Sequence, residues 1–321
     1  MSVDSVAAGA SGKEAVRRPA SKRRWRDSDL WWSFTRSKLT VVSAVVTAVI
    51  VVSALLAPVI APYDPTDLSS LSLLDAMIPP AWEADGSWSH PLGTDDQGRD
   101  MLSAILYGAR ISLVVGAASV VLAMLLGVAL GLVAGYFGGW LDTVIMRLAD
   151  VQLSFPAILI ALLIDGVAKT ALPRDLQSSA AIAVVIGAIA LSYWVHFART
   201  VRGSTLVERG KEYVQAAYVT GVHPLAIMLR HVLPNVLGPV LVIATINLAQ
   251  AILTEATLSF LGLGVPATQP SLGTLIRIGN NFLFSGEWWI AMFPGATLAL
   301  LALAVNLLGD WLRDALNPKL R

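Results

Sequence analysis

The chain contains no cysteine, which excludes disulfide staples, thiolate nucleophiles and cysteine-ligated metals. Charge is scarce: Asp, Glu, Lys and Arg make up 14% of the 321 residues, where soluble domains carry about 25%. A net charge of +1 gives no reason to expect a nucleic-acid partner. Histidine occurs four times, at His90, His196, His223 and His231, with no metal-ligand spacing. A phosphate loop is missing as well. In GASGK, Gly9 and Gly12 stand too close together and Glu14 follows Lys13. The enzyme patterns His-Glu-x-x-His and Gly-x-Ser-x-Gly are also absent.

What is present is apolar: 55% of residues are hydrophobic, and the mean hydropathy is +0.67. A hydrocarbon core of about 30 Å takes roughly 20 residues of helix at about 1.5 Å each. Six runs approach that length, at 40–60, 112–135, 144–164, 180–197, 236–261 and 289–308. Arg147, Asp150 and Pro156 interrupt the third. None alternates like a barrel strand. The fold class is therefore all-α, a polytopic membrane protein with about six transmembrane helices. The first run is too long for a signal-peptide core and has 39 residues ahead of it, so it reads as a retained span.

Basic residues orient the spans. With the N-terminus inside, 18 of the 23 Lys and Arg fall on the inner side and 5 on the outer. Asp64, Asp67, Asp75, Glu83, Asp85, Asp95, Asp96 and Asp100 crowd the first outer segment. Both termini are assigned to the cytoplasm, as is the polar stretch 199–235.

Residues 1–24 read as a disordered basic tail. Residues 25–39 read as an interfacial elbow helix, with caps at Asp27, Ser28 or Asp29 and anchors at Trp31, Trp32 and Phe34. The segment 61–111 is too polar for lipid and folds over the outer mouth, with a helix starting near Asp100. Gly127, Gly131 and Gly135 form a smooth helix face at four-residue spacing. It suits close packing within the chain, or against a partner subunit.

The stretch 199–235 reads as two short helices. The first covers Glu208 to Val219, Gly221 supplies a left-handed terminus, and Pro224 opens the second. Ala216 and Ala217 leave a bare spot before the turn, and the chain re-enters at Leu233-Pro234-Asn235. Glu255 is the carboxylate well inside a span, where ionised groups are costly. Two readings stay open: a group lining a translocation path, with Asn247 and Gln250 beside it, or hydrogen-bonded glue between helices. The second is preferred.

The loop resembles the signature of ABC-importer permeases: Glu-Ala-Ala, three residues, Gly, nine residues, Ile, one residue, Leu-Pro. Here it reads Gln215-Ala216-Ala217, Gly221 and Leu233-Pro234, with Gln215 replacing the acid and His231 standing for Ile. HPLGTDDQGRD at 90–100, GYFGGWLDTVIMRLAD at 135–150, RGKEYVQAA at 209–217 and RHVLPN at 230–235 resemble the dipeptide/oligopeptide/nickel permease family. So do LTEATLSFLGLGVP at 253–266 and NLLGDWLRDALNP at 306–318. Their order is similar to the "C" member of a permease pair. Ala104 and Leu272 depart from common family residues, and each is expected to touch the outer surface.

The resemblance implies a type I ABC importer permease over 40–321, with no cofactor or metal of its own. Partner ATPase subunits would bind ATP and Mg, and a second permease subunit and an extracytoplasmic substrate-binding protein would complete the complex. Carried over by motif, Arg209, Glu212, Gln215, Ala216, Ala217, Gly221, Leu233 and Pro234 form the ATPase-coupling surface. His90, Asp95, Asp96, Arg99 and Asp100 lie outside, where the binding protein would dock or where they would only stabilise a cap. The expected cargo is a di- or oligopeptide, with nickel or glutathione as alternatives. A secondary transporter or channel acting without an ATPase is the rival class.

Overall fold

The computed structural model describes residues 29–316 apart from 66, 68–71, 172 and 267–268. The basic tail expected over 1–24 lies outside the described residues. Helix α1 (Asp29–Arg36) falls within the expected elbow. It is followed by α2 (Lys38–Leu55), opened by Ser37, whose hydroxyl accepts from the Thr40 amide. The four-residue α3 (Ala57–Ile60) then leads into the polar segment. Among the described residues the β-structure is one isolated bridge, Thr94 to Asp100.

Helix α4 (Met101–Phe137) begins where the sequence placed it. The Asp100 carboxylate accepts from the Ser103 amide at 2.8 Å, an N-cap that satisfies a free helix donor. The remaining helices are α5 (Gly139–Leu153), α6 (Ala157–Ala171), α7 (Arg174–Arg209), α8 (Glu212–Val219), α9 (Pro224–Ile227), α10 (Leu233–Phe260), α11 (Leu272–Asn280) and α12 (Trp289–Leu316). Among the described residues five helices are long and apolar enough to cross a membrane. The pair α5–α6 adds a sixth crossing if taken together.

The third apolar run is not one straight helix. Its halves meet at 96°. Pro156 stands at the break: it has no N–H to donate, and its ring would crowd the carbonyl four residues back. Pro239 and Pro294 sit inside continuous helices instead.

The glycine face decides how the halves are used. A Cβ on Gly127 would lie 2.5 Å from Phe197 Cβ, one on Gly131 2.6 Å from Ala198 O, and one on Gly135 2.7 Å from Thr205 Cβ. The contacts advance along α4 and α7 in the same direction, so the two helices run parallel at backbone contact. Parallel helices end on the same side. The chain between them must therefore return across the bundle, and α5–α6 make that return.

Ser112 meets Glu255 while Gly116 abuts Ile252, so α10 runs antiparallel to α4. Gly309 packs on Thr245 while Val305 shares a cluster with Ala249, so α12 is antiparallel to α10. Phe34 and Trp311 meet edge-on at 5.1 Å, placing α1 and the last turns of α12 together. One end of the bundle thus carries both described chain ends and the α7–α10 connection. The cap, formed by the described residues between 61 and 100, covers the other.

Because lipid supplies no hydrophobic drive between helices, the close α4–α7 approach depends on those missing side chains. Gly131→Ala is expected to lower thermal stability of the purified subunit by about 1–3 kcal/mol, as overpacking does. Gly203→Ala, in the same bundle but with nothing within 4 Å of its Cβ, is expected to be neutral or stabilising. Equal midpoints for the two variants in a detergent melting assay would contradict the ladder.

Candidate functional site

The α7–α10 connection forms a projecting knuckle. Helix α7 stops at Arg209, Gly210 caps it, and α8 restarts at Glu212, so the sequence-expected helix over Glu208 to Val219 is broken near its start. Gly221 has φ +78°, the left-handed terminus expected of it. The His223 ring accepts from the Leu225 amide at 3.3 Å, and Pro224 occupies the first turn of α9. A π-helical turn over Met228–Val232 carries α9 into α10 without a gap, with Leu233 and Pro234 inside the continuous helix.

A polar knot holds the knuckle against the bundle. Tyr213 donates to Glu208, whose second oxygen pairs with Lys211 at 2.7 Å. Asn235 donates to Tyr213 at 3.0 Å and to the His231 carbonyl at 2.7 Å. The His231 ring, standing where the family motif has Ile, stacks on Tyr213. Withdrawal of the phenol from water, and then the Glu208 carboxylate, push the Tyr213 hydroxyl up to about 12, so it stays a donor at ordinary pH. Arg209 donates to the Tyr136 carbonyl at 2.7 Å, tying the end of α7 to the end of α4.

The sequence reading had not singled out Tyr213 or Asn235. They lie 22 residues apart, and only folding brings them together. The nearest signal was a carboxylate, Glu208, at a helix end with a tyrosine one turn and a half beyond.

Gln215, Ala216, Glu212 and Gly221 are exposed on the knuckle, and Tyr218 and Val219 extend the same surface at 69% and 83% exposure. Ala217 is a correction. It is buried beside Val214 against the permanent core, so the bare spot is Ala216 alone. Between α8 and the end of α4 lies a cleft of about 630 Å³ lined by Tyr136, Phe137, Arg209, Gln215 and Tyr218.

Glu255 is fully buried. Its two oxygens accept from Ser112 and Ser259 hydroxyls, each at 2.7 Å. The same hydroxyls accept from backbone: Ser112 from the Leu272 amide at 3.3 Å and Ser259 from Val265 at 3.2 Å. This clasp joins α4, α10 and the start of α11. Asn247 is buried on the same helix, whereas Gln250 is exposed, so the three residues do not form one lining.

Known proteins show the same chain plan. Residues 127–321 match the family described as the binding-protein-dependent transport system inner membrane component. Residues 24–80 match the N-terminal TM domain of oligopeptide transport permease C. The chain is 37% identical over 293 residues to the dipeptide transport system permease protein of Haemophilus influenzae, covering 91% of this chain and 95% of that one. It is 41% identical to the Escherichia coli K12 dipeptide permease (91% and 93% covered) and 37% identical to the Bacillus subtilis oligopeptide permease (92% and 90%). The chain belongs to the binding-protein-dependent transport permeases. It is a multi-pass inner-membrane protein with no metal-binding cluster among the described residues.

On the cap of this permease, four of the five residues read as either docking or cap-stabilising are buried: His90, Asp95, Arg99 and Asp100. Asp95 is fully buried and accepts from Arg99 Nε at 2.7 Å and from the Gln97 and Arg99 amides at 2.9 Å. His90 meets Asp100 at 3.2 Å, beneath Tyr63. Of the two readings open for these residues, His90, Asp95, Arg99 and Asp100 fit the cap-stabilising one, since their side chains bond to one another and to cap backbone. Trp82 and Trp88 are among the residues it exposes, at 60% and 81%. Ala104 and Leu272 are corrected, since both are fully buried in the core beneath the cap.

Asp96 is the cap's weak point. Burial, and then the Asp95 charge, push its carboxyl above the usual aspartate range, and its Oδ1 is buried without a partner. A pKa raised on folding stabilises the fold only below the unfolded value, and that stabilisation is lost as pH rises through the folded one. Asp96→Asn is thus expected to raise the melting midpoint at pH 7 by on the order of 2 °C. The gain should vanish near pH 3. A lower midpoint at pH 7 would contradict this account.

Proposed function

We propose that this permease is one of two homologous membrane subunits of an ATP-driven importer of di- or oligopeptides. In this reading it hydrolyses nothing, and ATP and Mg belong to cytoplasmic partner subunits. A binding protein on the outer side delivers the peptide to the cap end. Both termini and the knuckle face the cytoplasm, as the inner excess of Lys and Arg favours. The peptide cargo is supported by the relatives named for dipeptide and oligopeptide transport.

The observation that carries the reading is the knuckle. A short helix presents Gln215, Ala216, Tyr218 and Val219 outward, and its inner side is locked through Tyr213 to Glu208 and Asn235. A rigid projection of this kind suits a groove on a moving partner. Closure of that partner then displaces α7 and α10 together, because the knot joins them. The partner biases the permease between states only through contacts that differ between those states.

Gly221 tests the docking. Its Cβ would meet nothing within 4 Å, but its φ of +78° is strained for any side chain and worst for a β-branched one. Gly221→Val is expected to uncouple transport by distorting the turn, at a strain of about 1–2 kcal/mol. Gly221→Asn, which tolerates that conformation, and Gln215→Glu should keep most of the activity. The measurement is ATP hydrolysis and peptide uptake by the assembled complex. Full coupling in Gly221→Val would defeat the docking account.

A further inference from the structure

A second cleft opens beside α4 and α7, on the cap side. It measures about 570 Å³ and is lined by Tyr107, Arg110, Ile111, Val114, Ile182 and Gln269. That volume falls in the range of small-ligand sites, about 300–1,000 Å³. Arg110 sits nine residues into α4, about 14 Å from its cap end. It is exposed, and among the described residues no hydrogen bond or ion pair engages it. Arg99 is tied to Asp95, Arg199 to Asp150, Arg202 to Asp142 and Arg209 to backbone; Arg277, whose Nε is buried without a partner, does not line this cleft. Arg110 is thus a free guanidinium at the mouth of an otherwise largely apolar cleft.

We propose that this cleft forms this subunit's wall of the peptide path, and that Arg110 receives the peptide's C-terminal carboxylate as cargo leaves the cap. The assignment rests on the importer reading above. A guanidinium matches a carboxylate with two parallel hydrogen bonds, and the Tyr107 hydroxyl and Gln269 amide add neutral polar partners at the same mouth. Every linear peptide carries that carboxylate, whatever its side chains. Ile111, Val114 and Ile182 supply a wall that accepts side chains without reading them, since apolar contact is non-directional. The cleft therefore recognises what peptides share.

The buried Glu255 clasp explains how the mouth keeps its shape. Ser112 lies two residues beyond Arg110 on α4, and Ser271 lies two residues beyond Gln269. Ser112 donates to the Glu255 carboxylate and accepts from the amide of Leu272, the residue after Ser271. The clasp holds the two sides of the cleft at a fixed spacing from behind. Glu255 serves the path from within the wall and does not touch the cargo.

The test uses the complete complex, reconstituted in proteoliposomes with its binding protein. Uptake of a dipeptide and of the same dipeptide amidated at its C-terminus is measured for the wild type, Arg110→Gln and Arg110→Lys, alongside ATP hydrolysis. The binding protein is the same throughout, so a change in the free-to-amide uptake ratio reports on the permease. Arg110→Gln should lose about tenfold or more of free-dipeptide uptake, as loss of a charge-assisted pair does. Its ATP hydrolysis stimulated by the binding protein should persist, and its ratio should fall toward one. Arg110→Lys, which keeps the charge but not the fork, should show a smaller fall, and it decides the matter if the Gln variant does not assemble. An unchanged ratio in the variants would overturn the assignment while leaving wild-type ATP-driven uptake intact. No ATP-driven uptake by the wild type would overturn the importer reading, and this cleft assignment with it.

Discussion

The architecture depends on two backbones lying in contact. Along α4 and α7 there is no room for a Cβ at Gly127, Gly131 or Gly135. In water, apolar side chains would drive such a pair together. In lipid they would gain nothing, and close approach of bare backbone is what remains. Because the contact is parallel, it forces a return crossing between the two helices. A kinked, partly polar segment makes that crossing. Asp142 grips Arg202 with both oxygens and Asp150 pairs with Arg199, fastening α5 to the α7 it precedes. The return crossing in turn sets which end of the bundle carries the knuckle.

Polar clasps then fix what the glycine contact leaves loose. Glu255 would cost about 2.5–3.5 kcal/mol if left bare at membrane depth. Here serine hydroxyls from α4 and α10 donate to its two oxygens, and the α4 serine also holds the first amide of α11. The cap uses the same device, with Asp95 buried under the Arg99 guanidinium and two amides. At the opposite end, the Glu208–Tyr213–Asn235 knot joins α7, α8 and α10. Buried polar groups bonded across helices favour one arrangement, because shifting a helix would strip these donors and acceptors of their partners.

Much of this was legible in the sequence. Apolar run lengths gave the spans, and Asp100 and Gly221 marked a helix start and stop through capping and left-handed geometry. Gly127, Gly131 and Gly135 announced a close contact, though not with which helix. What was missed depended on distance along the chain. Pro156 was seen as an interruption, but the size of the bend follows from packing of both halves on α7. The acids at 95–100 looked like surface because they are charged, yet charge says nothing about burial once Arg99 and backbone amides satisfy it. Ala217 and Ala216 are adjacent in sequence, and only the orientation of α8 separates the buried one from the exposed one. Tyr107 and Arg110 carried no motif at all.

The absence of cysteine gives the most direct test of the account's central claim, that cap and knuckle occupy opposite faces of the membrane with α5–α6 crossing between them. Gln215→Cys and Trp88→Cys each introduce a single exposed thiol. Labelling with a membrane-impermeant maleimide should modify position 88 in intact spheroplasts and position 215 only in inverted vesicles. Labelling of both positions from the same side would contradict the parallel α4–α7 contact and the orientation built on it.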